Sequence, residues 1–138
     1  MKNIMRVMVD TNIIVSAGLF RFGSISLLLK EIAQNHEICI CTFSLEELQL
    51  VMKRKFPERI HEMDDFLNGF AYELIYTPRQ LDIKNMPYIR DKKDYPILAA
   101  ALMADVDILL SGDADLLTVA IDRPEIMDAK SFKSKFFN

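Results

Sequence analysis

A chain of 138 residues that is 51% hydrophobic has the length and composition of one domain, 1–138, built around one core. The formal net charge of −3 excludes a protein that holds nucleic acid simply by being basic. It does not exclude a nucleic-acid enzyme whose carboxylates surround divalent cations, because such ions reverse the local potential. No apolar run approaches the ~18 residues of a membrane span and the start carries no signal-peptide pattern, so a soluble, cytoplasmic protein with no membrane partner is expected.

The first predicted strand is the apolar run Val7-Met8-Val9, continuing past Asp10-Thr11-Asn12 into Ile13, Ile14 and Val15, with the look of a strand covered on both faces. Asp10 then sits at a strand's carboxyl end, where open α/β sheets bind ligands, or else it only caps a turn. Ser24 is the expected N-cap of a helix whose apolar face is Ile25, Leu28, Leu29 and Ile32. Glu37 to Thr42 reads as a second strand, and its Cys39 and Cys41 as core residues, since two cysteines without a nearby histidine make no zinc site. Ser44 and Glu47 have capping-box spacing and open a fourth element, a helix ending in Lys53-Arg54-Lys55. That role alone explains Glu47.

Pro57 introduces a helix from Glu58 to about Phe70, on which His61 lies off the apolar stripe and faces solvent. A strand over Tyr72–Thr77 stops at Pro78. Asp94 is the expected N-cap of an Ala- and Leu-rich helix, and a strand over Val106–Leu110 ends in Ser111-Gly112-Asp113-Ala114-Asp115, the second place where an apolar run stops at an acid. A short helix from Leu116, a strand near Glu125-Ile126-Met127 and a Lys- and Phe-containing tail complete the chain.

Alternating strands and helices imply an α/β layered fold with a mostly parallel sheet of four to five strands. In such a sheet Asp10 and Asp113 end their strands at the same edge where Glu47 and Asp94 open helices, so four acids converge. Like charges so gathered raise one another's pKa unless something positive lies among them. A hard divalent cation, Mg²⁺ or Mn²⁺, answers that need with oxygen ligands and no His or Cys. The lysines and arginines at 53–55 and 92–93 either steer phosphates or form solvated charge runs.

Four segments together, Val9-Asp10-Thr11-Asn12, Ser44-Leu45-Glu46-Glu47-Leu48, Asp91-Lys92-Lys93-Asp94 and Leu110-Ser111-Gly112-Asp113-Ala114-Asp115, resemble the PIN-domain family over nearly the whole chain. The resemblance is to the branch described as toxin components of toxin–antitoxin systems, related to VapC-type toxins. It implies a three-layer α/β/α fold and a metal-dependent endoribonuclease with Mg²⁺ or Mn²⁺, acting on RNA, partnered by an antitoxin protein and forming a homodimer. Carried over by position, the family's catalytic and metal-ligating acids fall on Asp10, Glu47 (rather than Glu46), Asp94 and Asp113. Asp91 and Asp115 match positions of extra acids, and Thr11, Asn12 and Ser111 match supporting polar positions. Ala114 stands where the family often has a basic residue between two acids.

Two other classes of function compete. One is a PIN-like interaction module with a weak or masked site, using the helix over 60–70 and the Phe132, Phe136 and Phe137 tail as its surface. The other is a receiver-like domain phosphorylated on a strand-end acid, which would need a lysine near the end of a late strand; none follows Ser111-Gly112.

Overall fold

The structure, a computed structural model, describes residues 3–137. Its strands β1 (Arg6–Val9), β2 (Glu37–Cys41), β3 (Glu73–Ile75), β4 (Ile108–Leu110) and β5 (Glu125–Met127) form one sheet in the order β3-β2-β1-β4-β5. Every neighbouring pair is parallel, with Val7 beside both Ile38 and Ile108. Parallel strands need covered faces, and the side-chain alternation supplies two. Val7, Val9, Ile38, Ile40, Ile108 and Leu110 face one apolar cluster, while Met8, Cys39, Cys41, Ile75 and Leu109 face the other.

Helices α1 (Thr11–Leu19), α2 (Ser24–Asn35), α3 (Thr42–Lys55), α4 (Ile60–Asn68) and α7 (Ala129–Phe136) contribute to the first cluster. Helices α5 (Tyr95–Met103) and α6 (Ala114–Leu117) contribute to the second. The result is the expected three-layer α/β/α arrangement on a parallel sheet. Cys39 and Cys41 are fully buried, and burial pushes the Cys39 thiol up to about 11, so it stays protonated as a core residue. No single helix among the described residues is long and apolar enough to cross a membrane.

Several local expectations are corrected. Ile13, Ile14 and Val15 do not prolong β1; they are helical. Asp10 is extended, its carboxylate takes the Thr11 N–H, and its carbonyl accepts from the Ile13 and Ile14 amides, so the chain turns into α1 at once. The buried set Ile13, Ile14, Ala17 has helical spacing, which outweighs the β-branching. The N-cap of α2 is Gly23, one residue before Ser24. Helix α3 begins at Thr42 rather than Ser44, so Ser44 is a buried first-turn residue accepting from the Cys41 thiol, and Glu47 is released from the capping box. The helix expected from Glu58 splits into a 3-10 turn at Pro57–Arg59 and α4. His61 is exposed, as expected.

The phenylalanine tail considered for the competing interaction-module reading packs largely inward. The tail is α7, capped by Asp128, with Phe132 fully buried and its ring 4.8 Å from Phe136 and 5.5 Å from Phe137. Both outer rings are half-buried against the same core. Met63 and Phe66 of α4 are likewise core residues.

Candidate metal centre at the carboxyl edge of the sheet

The predicted acids sit at the carboxyl edge of the sheet, each delivered by a different element. Asp10 leaves central β1, Glu47 lies in the second turn of α3 after β2, Asp94 precedes α5, and Asp113 follows β4. Hydrogen bonds tie three of them together. Asp10 accepts from the Thr11 amide at 2.7 Å and from the Ser111 hydroxyl at 2.7 Å. Ser111 Oγ in turn accepts from the Asp113 amide at 3.0 Å. On the other side, Thr11 Oγ1 donates to Glu47 Oε1 at 2.7 Å. Thr11 and Ser111 are therefore struts, both buried, that fix carboxylates from distant parts of the chain. Asn12 is exposed and has no such bond among the described residues.

Asp94 ends a 3-10 turn, Lys92–Asp94, whose N-cap is Asp91; the Asp91 carboxylate accepts from the Lys93 amide. Contrary to expectation, the Asp94 side chain makes no capping bond to α5. One of its oxygens, Oδ2, is buried with no hydrogen-bond partner among the described residues. Ligand oxygens of Asp91, Asp94 and Asp115 lie within 4.8 Å of one another. Of the four principal acids, Asp94 alone belongs to that tight triplet, and Asp91 and Asp115, read as extra acids, supply the rest.

The electrostatics follow from this crowding. Burial pushes the Asp94 carboxyl up to about 7, and Asp113, Asp91, Asp10 and Asp115 push in the same direction. Asp10, only 7% exposed, is also raised, first by burial, against the opposing hydrogen bonds of Ser111 and Thr11, with Glu47 and Asp113 adding repulsion. A buried carboxylate oxygen without a donor, in a set made only of oxygen ligands, is the environment a hard divalent cation would complete.

One contributor was not legible in the sequence. Arg90 grips Asp115 through both oxygens, at 2.8 and 2.7 Å, and holds its carboxyl below the usual range. It brings a positive charge beside the acids where Ala114 brings none. Its adjacency to Asp91 was the available signal, but its partner lies 25 residues away. Lys53, Arg54 and Lys55 occupy the last turn of α3, roughly 9–12 Å along the helix axis from Glu47, and form no ion pair with the acids among the described residues. Lys92 and Lys93 are exposed in the turn between Asp91 and Asp94.

The opposite edge of the sheet handles its acids differently. There Arg6 pairs with Glu73 and donates to the Ala104 carbonyl, and Arg123 pairs with Asp105 and Asp107. Glu73, Asp105 and Asp107 at the amino edge are thus paired with arginines, while of the acids at the carboxyl edge Asp115 alone is in an ion pair among the described residues.

The PIN domain profile matches residues 6–115 of the chain, from the start of β1 through Asp115. The chain belongs to the PIN domain family. Its fold is similar to that of VapBC2 from Rickettsia felis, solved bound to a DNA fragment from their promoter: the TM-score is 0.67 at 22% identity, covering 90% of this chain and 98% of that one. It is also similar to PAE2754 from Pyrobaculum aerophilum, with a TM-score of 0.58 at 14% identity, covering 95% and 88%. No curated protein matches it in sequence. Residues 116–137 lie outside the PIN match and contribute to both clusters, Leu116 to the second and Met127 of β5 and Phe132 of α7 to the first.

Proposed function

We propose that this PIN-domain chain is an endoribonuclease that uses Mg²⁺ or Mn²⁺ to hydrolyse RNA phosphodiester bonds in the cytoplasm, as the toxin of a toxin–antitoxin pair. The observation that carries the proposal is the buried Asp94 oxygen, without a hydrogen-bond partner among the described residues, in a cluster of acids where Arg90 is already engaged by Asp115. Asp10, Asp94 and Asp113 would be the principal ligands, with Asp91 and Asp115 as further ones. A bound divalent ion would supply Lewis acidity toward the phosphate and a water acidic enough to ionise near neutral pH.

The chain's own residues supply orientation and proton handling. The Asp10 carboxylate cannot rotate away, because each of its oxygens already accepts one hydrogen bond while keeping lone pairs for a ligand. Glu47 is held through one oxygen by Thr11, which leaves the other to take a proton from an attacking water. The partner expected is an antitoxin protein, consistent with the VapBC2 likeness; self-association as a homodimer is testable by sedimentation.

The decisive experiment is Mn²⁺-dependent cleavage of a labelled RNA by the wild-type chain and by Asp10→Asn. The substitution should abolish cleavage. Undiminished cleavage would remove Asp10 from the chemistry and the proposal with it.

A further inference from the structure

Beside the acids, at the exit of β3, lies an open cleft of about 560 Å³ whose lining includes Phe43, Glu46, Tyr76, Arg79 and Pro96. Two reciprocal bonds fix its floor: the Phe43 amide donates to Thr77 Oγ1 at 3.1 Å, and the Thr77 amide donates to Thr42 Oγ1 at 3.0 Å. These pin the segment after β3 to the first turn of α3. Two of the cleft's lining residues stand next to acids of the centre along the chain, Glu46 before Glu47 and Pro96 two residues after Asp94. Adjacent helical residues diverge by about 100°, which is how Glu47 meets Thr11 while Glu46 lines the cleft.

Three groups in the cleft have nothing to do in the fold. Tyr76 is 71% exposed, an aromatic ring presented to solvent. Arg79 and Glu46 are exposed and make no ion pair or side-chain hydrogen bond among the described residues. A ring, a guanidinium and a carboxylate beside a phosphodiester-cleaving centre match the three parts of a nucleotide: base face, phosphate and base edge. The volume suits one nucleotide unit in an open groove.

Resting on the nuclease reading above, we propose that this cleft is a specificity subsite that captures a guanine next to the scissile bond of single-stranded RNA. Tyr76 stacks on the base, Arg79 meets the adjoining phosphate, and Glu46 accepts from the guanine N1–H and N2–H. Guanine is the base assigned because its edge carries two adjacent donors that a carboxylate's two oxygens accept together. Adenine and cytosine offer one amino group beside an acceptor, and uracil offers a single imino donor. Glu46 and Glu47 thus divide the labour, one reading the base and the other serving the water.

The test is fluorescence anisotropy with labelled single-stranded hexaribonucleotides, on the Asp10→Asn background in Mg²⁺ so that RNA stays intact, and on the wild-type chain in chelator. One guanine in a uridine background should bind more tightly than inosine at the same position, which lacks the N2 amino group. Glu46→Gln should erase that difference. Tyr76→Ala should weaken binding about tenfold, and Tyr76→Phe, which keeps the ring, should not. Mn²⁺-dependent hydrolysis of bis(p-nitrophenyl) phosphate, a diester without a base, should be unchanged in Tyr76→Ala, Arg79→Ala and Glu46→Gln. The inference is overturned if Tyr76→Ala and Arg79→Ala bind the guanine oligomer like the parent, or if the guanine preference survives Glu46→Gln. A wild-type chain that hydrolyses neither RNA nor the small diester, yet shows the guanine preference, would sink the nuclease reading and leave the subsite standing.

Discussion

Replacing Asp94 by Asn should make the metal-free protein more stable at pH 8. The Asp94 carboxyl is pushed from 3.8 to about 7, so the folded chain retains a proton that the unfolded chain has released. Its contribution to stability is therefore whole below about pH 4, declines as pH rises, and is lost once pH passes through 7. At about 1.4 kcal/mol per tenfold, the ceiling on the penalty from that move is about 4 kcal/mol. Asp94 is only partly buried, and solvent screening brings the expected gain of the neutral isostere to about 1–2 kcal/mol. For a chain of this size that is roughly 3–8 °C in melting temperature. Thermal melts in chelator from pH 4 to 8 would show the two proteins coinciding at the acid end and diverging up to pH 7, with no further divergence above it. Mn²⁺ at about a hundred times its Kd should add about 2.7 kcal/mol to the wild type and less to the variant. If the two melting curves coincide at every pH in chelator, neither burial of the Asp94 carboxylate nor repulsion from its acidic neighbours strains the fold, and the physical case for a cation there fails.

Ser111→Ala deprives the Asp10 carboxylate and the Asp113 amide of one shared partner. It should cost about 1–3 kcal/mol in urea denaturation and reduce RNA cleavage, since Asp10 would no longer be fixed. Phe132→Ala should cost about 3–5 kcal/mol by the same method, because the ring is fully buried and packs against the rings of Phe136 and Phe137. Arg90→Ala frees both Asp115 oxygens and removes a cation from the acid triplet, so calorimetric titration should show Mn²⁺ binding tightened several-fold.

The layer architecture was legible because parallel strands buried on both faces read as unbroken apolar runs, and Val7–Val9 and Ile38–Cys41 are such runs. What the residues did not reveal was where such a run changes conformation. Ile13–Val15 carries strand-forming side chains, and only the Asp10 cap and the tertiary cover of α1 make it helical. The edge on which the acids gather followed from their order along the chain. The bonds that hold them did not, because Thr11 reaches Glu47 across 36 residues and Ser111 reaches Asp10 across 101. Glu47 shows the limit most clearly: its spacing from Ser44 fits a local cap, but α3 starts two residues earlier and Glu47 bonds Thr11 instead. Arg90 and the cleft beyond β3 depend wholly on such long-range placement.

The position of β1 in the middle of the sheet has a consequence for synthesis. Asp10 leaves the ribosome well before the groups that hold it: its amide donates to the Leu110 carbonyl, and its carboxylate accepts from the Ser111 hydroxyl, 101 residues later. An N-terminal fragment released before β4 emerges carries Asp10 and Glu47 without their opposite wall. On the nuclease reading proposed above, a partly made chain is therefore inactive: β4 and Ser111 must have emerged before the acids can be assembled.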